Sequence, residues 1–161
     1  MPGARRYGAA MAIDRAPRTT VYRHRVRYFE ADQQGVVFNM WYLGYFDEAM
    51  TQFLEEGGLP YQRMLDAGFD VQLVRSEIDW RSSLRWPDDV SVEVGVEAVG
   101  RTSFTLGFTV RRAGETVASG ERVAAGETVA AGRTVYVVVA ADGSGKRTIP
   151  ADLAGALGTV G

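Results

Sequence analysis

Asp32 is the side chain of this sequence that is best placed to do chemistry. It follows a run rich in β-branched and aromatic residues, Gly35 comes three positions later, and a helical pattern begins soon after that. The first turn of a helix offers unpaired N–H groups and the positive end of the helix dipole, which together can stabilise an oxyanion. An Asp beside such a site can attack a carbonyl or activate a water molecule. The same residue type is also common as a helix cap or turn residue, so this pattern alone leaves both interpretations open.

Other chemistries are excluded by what the 161 residues lack. There is no cysteine, and His24 is the only histidine, so a disulfide, a thiol nucleophile, a thiolate metal site and a multi-histidine metal site are excluded. His24 precedes Asp32 by eight residues, roughly 26 Å of extended chain, and we expect it to be a structural histidine. The net charge of −2 gives no reason to expect nucleic acid as a partner. No apolar run is long enough to predict a membrane span.

The segment around Asp32 is expected to join a strand to a long helix. Residues 20–30 are rich in strand-forming types and predict a first strand. The helix is predicted over residues 37–56 and ends at Gly57. Pro60 opens a short second helix, which Gly68 closes. Steps of three and four place five apolar residues on one face of the long helix: Leu43, Phe46, Met50, Phe53 and Leu54.

The rest of the chain predicts strands. Alternation changes parity after Leu73, which indicates a β-bulge near residues 74–77. Two strands with clean alternation follow around 90–96 and 104–110, a hairpin turn is predicted at 112–114, and a nearly continuous apolar strand covers 133–141. One long helix against an antiparallel sheet is an α+β architecture. A sheet covered by a single helix leaves a face or an edge in need of cover, which favours dimerisation.

The chain is expected to fold as one domain between two tails. Residues 1–19 lack the apolar core of a signal peptide and predict a flexible N-terminal tail. The domain covers 20–153, and residues 154–161 are expected to form a C-terminal tail. Within the domain, units of six residues beginning with glycine repeat over about 114–132. An even period keeps each side chain on its face of a strand, so an inserted strand extension or hairpin is favoured over a β-helix.

Several segments of the chain resemble the hot-dog-fold acyl-CoA thioesterases of the 4-hydroxybenzoyl-CoA thioesterase type, including the Tol–Pal-associated enzymes. The pattern of that family contains an aromatic residue, an Asp, a Gly-Val/Ile-Val step and a later Tyr. This sequence matches it with Tyr28, Asp32, Gly35, Val36, Val37, Phe38 and Tyr42. The similarity continues through 78–89, 100–104 and 146–150, and covers about residues 22–153. The resemblance implies an antiparallel sheet wrapped around one long central helix.

The resemblance also implies roles for individual residues. Asp32 is the catalytic carboxylate, as nucleophile or general base, and Gly35 belongs to the same motif. The backbone N–H at Asn39 contacts the oxyanion. Many relatives have His or Tyr where Asn39 stands, so a side-chain role there is in doubt. The substrate pocket is expected to include Val37, Phe38, Tyr42 and Asp47, although Asp47 fits a solvated helix position equally well.

The implied reaction is hydrolysis of an acyl-CoA or acyl-carrier-protein thioester to a free acid and a thiol. CoA is part of the substrate, so no cofactor and no metal are expected. Arginine suits phosphate recognition through its planar fork. Relatives place the following residues near CoA, often across a subunit interface: Arg81, Arg85, Arg101, Thr102, Ser103 and Arg147. The resemblance further implies a cytoplasmic homodimer that pairs into a homotetramer.

Two other functions stay open at this point. The first is a hot-dog hydratase or dehydratase, which pairs a carboxylate with a histidine. The second is a hot-dog protein that binds acyl-CoA without catalysis. The position of His24 disfavours the first, and Asp32 in its motif disfavours the second.

Overall fold

The computed structural model describes residues 18–114 and 126–158. A short 3₁₀ helix, Tyr28–Glu30, follows the first strand. Along the chain, the strands and α-helices are β1 (Thr19–Arg25), α1 (Met40–Glu56), α2 (Tyr61–Asp66), β2 (Phe69–Trp80), β3 (Asp89–Val99), β4 (Ser103–Arg112), β5 (Thr128–Ala140) and α3 (Ala151–Leu157). Within these ranges, no helix has the length and apolar character needed to cross a membrane.

The five strands form one antiparallel sheet in the order β1-β3-β4-β5-β2, and α1 packs on one of its faces. The Phe46 ring of α1 stacks on Phe108 of β4 with 4.3 Å between ring centroids. The predicted apolar face of α1 is confirmed for Phe46, Met50, Phe53 and Leu54, which are buried, whereas Leu43 is 39% exposed. The α+β class and the single long helix are therefore confirmed.

The first strand and the long helix are both shorter than the sequence pattern predicts. β1 ends at Arg25 because the chain turns into the 3₁₀ helix, where the Glu30 carboxylate accepts the Arg27 N–H at 2.8 Å. α1 begins at Met40 rather than at residue 37, because Val37 forms a β-bridge with Ala31. Apolar periodicity cannot reveal either interruption, since both depend on hydrogen bonds made by single residues.

Of the neighbouring strands β2 and β5, only β5 differs from prediction, at its beginning. The predicted bulge in β2 is confirmed by a register shift between Leu73 and Arg75. The last strand begins at Thr128 rather than at residue 133, so the end of the six-residue repeat continues directly into β5. Residues 115–125, which hold most of the repeat and the far side of the predicted turn, lie outside the described residues.

Both ends of the domain reach further than predicted. The Arg18 guanidinium donates to the carbonyl oxygens of Phe53 at 2.7 Å and Ala156 at 2.6 Å, and Thr19 already belongs to β1. At the other end, α3 buries Leu153, Ala156 and Leu157. Residues 154–157, predicted to lie in a tail, therefore belong to the packed fold because their apolar side chains face the core. The predicted N-terminal tail before Arg18 lies outside the described residues.

Candidate active site

Asp32 lies in a small loop that we call the Asp32 hairpin, residues 31–37, closed by the bridge between Ala31 and Val37. The Asp32 N–H donates to the Val36 carbonyl at 2.8 Å, and the Gly35 N–H donates to the Asp32 carbonyl at 2.9 Å. Gly35 has a φ of +71°, in the left-handed region that favours glycine. The role of Gly35 in the motif is thus to complete the turn that presents Asp32.

The carboxylate of Asp32 is held by one oxygen and open at the other. Its Oδ1 accepts the N–H of Gln34 at 2.8 Å and, more weakly, that of Val36 at 3.4 Å. Within the described part of the chain, Oδ2 has no hydrogen-bond partner. The side chain is therefore oriented by its own turn and keeps one oxygen free to act on another molecule.

The start of α1 offers backbone donors close to the hairpin in sequence. The Phe38 N–H donates to the Glu30 carbonyl at 2.9 Å, and the Trp41 N–H donates to the Phe38 carbonyl at 3.0 Å. Across residues 18–114 and 126–158, no group accepts the N–H of Asn39 or of Met40. The Asn39 side chain makes no capping hydrogen bond. The helix therefore begins with open N–H donors at the point where the sequence predicts the oxyanion contact.

A pocket of about 370 Å³ opens at this end of α1. Val37, Asn39 and Tyr42 line it from the hairpin side, together with Trp80 and Arg81. Tyr42 and Trp80 meet edge to face, with ring centroids 5.9 Å apart and an interplanar angle of 86°. Burial raises the pKa of Tyr42, and its hydroxyl oxygen accepts the Leu84 N–H at 3.4 Å, so Tyr42 is a neutral aromatic wall of the pocket.

Two residues predicted for the substrate pocket lie apart from this one. Phe38 is 46% exposed and is not among the lining residues. Asp47 lines a second pocket of about 290 Å³ further along α1, where Tyr61 and Asp70 also contribute. Desolvation, and then the negative charge of Glu48, raise the pKa of Asp47. Within one chain, Asp47 is therefore separate from the pocket beside Asp32.

The six residues predicted to bind CoA divide into two groups at opposite ends of β3. Arg81 lines the pocket, and Arg85 donates from Nη1 to the Gly35 carbonyl at 3.3 Å. The other four lie beyond the far end of β3: Arg101, Thr102, Ser103 and Arg147. The Ile149 N–H donates to the Arg101 carbonyl, and Arg147 donates to the Gly68 carbonyl. The 11 residues of β3 separate the groups by about 35 Å at ~3.3 Å per residue.

One carboxylate near the site was missed by the sequence interpretation. Glu30 is 2% exposed, and its Oε2 accepts hydrogen bonds from His24 Nε2 at 2.9 Å, the Arg27 N–H at 2.8 Å and the Tyr45 hydroxyl at 2.9 Å. The expectation that His24 is structural is confirmed by this buried contact. The signal available in the sequence was a Glu inside an aromatic-rich run, six residues after the only histidine.

The environment of Glu30 keeps it ionised. Burial alone would raise the pKa of this carboxyl, but the hydrogen bonds from His24, the Arg27 N–H and Tyr45 together hold it below its usual range. Burial and the neighbouring Glu30 carboxylate raise the pKa of Tyr45, so its hydroxyl keeps its proton and donates it. Nowhere in the described residues do three side chains of metal-binding type converge.

Comparison with known proteins identifies the family of this fold and site. A family model described as the thioesterase-like superfamily matches residues 26–157, most of the chain. The chain is 35% identical over 98 residues to a protein of Aquifex aeolicus (strain VF5) named "Putative esterase", and the match covers 61% of this chain and 77% of that protein.

Solved structures agree with this match. A hypothetical protein from Thermus thermophilus is 30% identical, with a TM-score of 0.72 and a match covering 85% of this chain and 95% of that one. A 4-hydroxybenzoyl-CoA thioesterase in complex with 4-hydroxybenzoyl-CoA is 21% identical, with a TM-score of 0.72 and coverage of 87% of this chain and 99% of that one, and it shows the shared hot-dog fold. The Tol–Pal side of the resemblance stays a prediction. The chain belongs to the thioesterase-like superfamily.

Proposed function

We propose that the protein hydrolyses an acyl-CoA or acyl-carrier-protein thioester, giving a free acid and a thiol. Two features of the short segment 32–40 carry the proposal. At its start, one oxygen of Asp32 is free, and at its end, the N–H groups of Asn39 and Met40 have no acceptor in the described residues. Hydrolysis of a thioester needs a group that delivers a nucleophile to the carbonyl carbon and donors that stabilise the oxygen as it becomes negative.

In the proposed reaction, Asp32 acts through Oδ2 in one of two ways. As a nucleophile, it forms an acyl anhydride and expels the thiolate, and water then cleaves the anhydride. As a general base, it takes a proton from a water molecule that attacks the thioester carbonyl directly. In both cases, the negative oxygen of the intermediate accepts hydrogen bonds from the N–H groups at the start of α1, and the thiolate leaves as the thiol. Either route consumes one water molecule.

The acyl group is proposed to occupy the pocket between Val37, Tyr42 and Trp80. Its walls combine an aliphatic residue with two aromatic rings, which suits an apolar or aromatic group. Names of structural neighbours, such as 4-hydroxybenzoyl-CoA thioesterase and gentisyl-CoA thioesterase, support a CoA thioester as the substrate class. Phe38 and Asp47 are proposed to contact the acyl group only where a second subunit or a longer acyl chain brings them within reach.

CoA recognition is proposed to involve two subunits. Arg81 and Arg85 lie beside the Asp32 hairpin and suit the phosphates of a CoA bound to the same chain. Arg101, Thr102, Ser103 and Arg147 are about 35 Å away along β3, so they serve the active site of another subunit. A homodimer, paired into a tetramer, is proposed on this ground. The substrate is an intracellular metabolite, which fits a cytoplasmic location.

The hydratase alternative is disfavoured by the position of His24. A hydratase of this fold needs a histidine that reaches the substrate, whereas the His24 side chain is 7% exposed and donates to Glu30. A protein that only binds acyl-CoA would have no use for the open oxygen of Asp32. The hydratase would change the acyl chain without releasing a thiol, and the binding protein would form no product, so one experiment separates both from a thioesterase.

The experiment is incubation of the full chain with a panel of aromatic and aliphatic acyl-CoAs and acyl carrier proteins. Free thiol is measured by colour reagent, and the acid is measured by mass spectrometry. Equimolar acid and thiol are expected for at least one substrate. Hydration or dehydration of the acyl chain without thiol release would establish the hydratase. Saturable binding with no product from any thioester would establish the binding protein.

A further inference from the structure

A buried polar cluster adjoins the Asp32 hairpin, and the proposed reaction does not use it. We call it the Glu30 cluster: Glu30 of the 3₁₀ helix, His24 of β1 and Tyr45 of α1. The side chains of Glu30 and His24 are 3% and 7% exposed. Their hydrogen bonds join three separate elements, because His24 Nε2 and the Tyr45 hydroxyl both donate to Glu30 Oε2 at 2.9 Å.

The side chains of the cluster also pack against one another and against Tyr22. The His24 ring lies against Tyr45 with 4.8 Å between ring centroids, and against Tyr22 with 6.1 Å. The Tyr22 hydroxyl lies 3.5 Å from His24 Nδ1, so the second ring nitrogen also faces a polar group. Buried carboxylates are costly unless their oxygens are satisfied, and here three donors converge on Oε2. The position of Glu30 is therefore strongly fixed.

The backbone of Glu30 is joined to both parts of the proposed site. Its carbonyl accepts the Phe38 N–H at 2.9 Å, and the next residues inward on each side, Ala31 and Val37, form a β-bridge. Asp32 follows Glu30 by two residues, and Asn39 follows Phe38 by one residue. The contact between Glu30 and Phe38 thus closes a loop. Asp32 lies near the beginning of this loop, and the N–H of Asn39 follows directly after its end.

Tyr45 fixes the orientation of α1 relative to Glu30. It lies in the second turn of α1, five residues after Met40, and its hydroxyl bonds to the same carboxylate that anchors the loop. Because α1 carries the open N–H groups at its first turn, a rotation or shift of the helix would move them relative to Asp32. The hydrogen bond from Tyr45 to Glu30 resists both movements.

We propose that Glu30, held by His24 and Tyr45, is a positioning residue that sets the distance between the Asp32 carboxylate and the N–H groups at the start of α1. The inference rests on the proposed thioesterase function. The cluster acts on the chemical step and not on substrate binding, since its side chains are buried and do not line the pocket. Misplacement of reacting groups by about 1 Å can lower a rate roughly 100-fold.

The first test compares two tyrosine-to-phenylalanine variants. Tyr45→Phe removes one donor from Glu30 and leaves the ring in place. Tyr136→Phe is the matched control, because the Tyr136 hydroxyl is buried, has no hydrogen-bond partner by geometry in the described residues, and does not contact the Glu30 cluster. For Tyr45→Phe, we expect kcat to fall about 10-fold or more with KM within about threefold of the wild type. Tyr136→Phe should keep both constants.

The second test uses conservative rescue at Glu30. A glutamine at this position keeps an oxygen for Tyr45 and the Arg27 N–H, and its amide can donate to His24 in the other tautomer. An alanine keeps none of these contacts. Glu30→Gln should therefore retain most of kcat, whereas Glu30→Ala should lose about 10- to 100-fold at a temperature where circular dichroism shows it fully folded.

The third measurement needs no activity. Hydrogen exchange followed by NMR reports the Phe38 N–H, which donates to Glu30, and the Leu106 N–H in the central strand β4 serves as an internal reference. Faster exchange at Phe38 in Tyr45→Phe and Glu30→Ala, with Leu106 unchanged and kcat reduced at constant KM, is the expected result. Unchanged exchange at Phe38, or a wild-type kcat in both variants, would overturn the proposal.

The failure of the proposed function is a separate outcome. If the wild type releases no thiol from any thioester, the thioesterase assignment is wrong, and the exchange of the Phe38 N–H alone decides whether the cluster holds the loop. If the wild type is active and Glu30→Ala raises KM while kcat stays at the wild-type value, the cluster shapes the binding site and the positioning role is wrong.

Discussion

Two carboxylates separated by one residue have opposite environments in this protein. Glu30 is buried and accepts hydrogen bonds from His24, Tyr45 and the Arg27 N–H. Asp32 is half-buried, accepts two backbone N–H groups through Oδ1 alone, and leaves Oδ2 without a partner in the described chain. A carboxylate that holds a fold together uses its oxygens internally, whereas one that reacts must keep an oxygen free.

The comparison also explains why the only histidine is not a catalytic base. His24 lies 2.9 Å from Glu30, two residues before Asp32 in the chain, but its Nε2 donates to that carboxylate and its Nδ1 faces Tyr22. The proposed site therefore consists of one carboxylate and backbone donors. The absence of cysteine from the sequence is compatible with such a site, because it requires neither a thiol nor an imidazole.

The largest effect on the reactive side is expected from removing a backbone donor. Asn39 has a φ of −54°, which a proline can adopt, so Asn39→Pro removes its N–H at little conformational cost. Asn39→Ala removes the side chain and keeps the N–H. We expect Asn39→Pro to lower kcat about 100- to 1000-fold, as loss of an oxyanion donor does, and Asn39→Ala to stay within about threefold of the wild type. Equal activity of the two variants would show that the Asn39 N–H does not contact the oxyanion.

The structural role of Glu30 is tested by the pH dependence of the free energy of unfolding. Because the folded-state pKa of Glu30 lies below its usual range, its ionised form stabilises the fold fully above the unfolded-state pKa of about 4.3 and less as the pH falls through the folded-state value. Glu30→Gln should be less stable than the wild type by about 1 to 3 kcal/mol near pH 7, and the difference should shrink below about pH 4. Urea denaturation over this pH range measures it, and a difference that grows on acidification would contradict the role of Glu30.

The turn that presents Asp32 is expected to show a smaller effect. Gly35→Ala places a side chain at a φ of +71°, which costs about 1 to 2 kcal/mol and loosens the hairpin. Gly44→Ala is the matched control, since Gly44 lies within α1 with only the Trp41 ring near its would-be Cβ, at 3.9 Å. That change should stabilise the protein by up to about 1 kcal/mol. Thermal unfolding of both variants measures the contrast, and the same sign for both would argue against a strained turn at Gly35.

The smallest effect is expected at Asp47, a carboxylate further along α1. If it contacts the acyl group, Asp47→Asn should change KM about 2- to 10-fold for substrates with polar acyl substituents and leave unsubstituted ones unaffected. Asp79→Asn, an exposed change on β2, is the control. Steady-state kinetics on paired hydroxylated and unsubstituted acyl-CoAs measure this, and no difference between the two substrates would leave Asp47 as a solvated helix residue.

Most of the fold could be predicted because it depends on repeated patterns. The alternation of Val90, Val92 and Val94 and the helical spacing from Phe46 to Leu54 each reflect many residues facing one core, and both are confirmed by burial. The bulge at Val74 could be predicted for the same reason, as a change in that alternation. The boundaries at Arg25, Met40 and Thr128 could not, because each is set by single hydrogen bonds or by pairing with a distant strand.

The site could be predicted in part. Asp32, Gly35 and Asn39 are close in sequence, so a local motif was enough to place them together. Glu30 was missed because its role depends on His24 and Tyr45, which reach it from two other elements. The division of the arginines that the resemblance assigns to CoA also could not be predicted from sequence, since Arg85 and Arg101 are separated by the full length of β3.

The central claim is that Asp32, and not its buried neighbour, is the carboxylate that acts on the thioester. The most direct measurement is the hydrolysis of the best substrate of the wild type by Asp32→Asn, which removes the charge with little change in shape, beside Asp79→Asn as a control. We expect Asp32→Asn to lose about 100-fold or more of kcat while it unfolds at the wild-type temperature and still binds the substrate. Full activity in Asp32→Asn would contradict the claim.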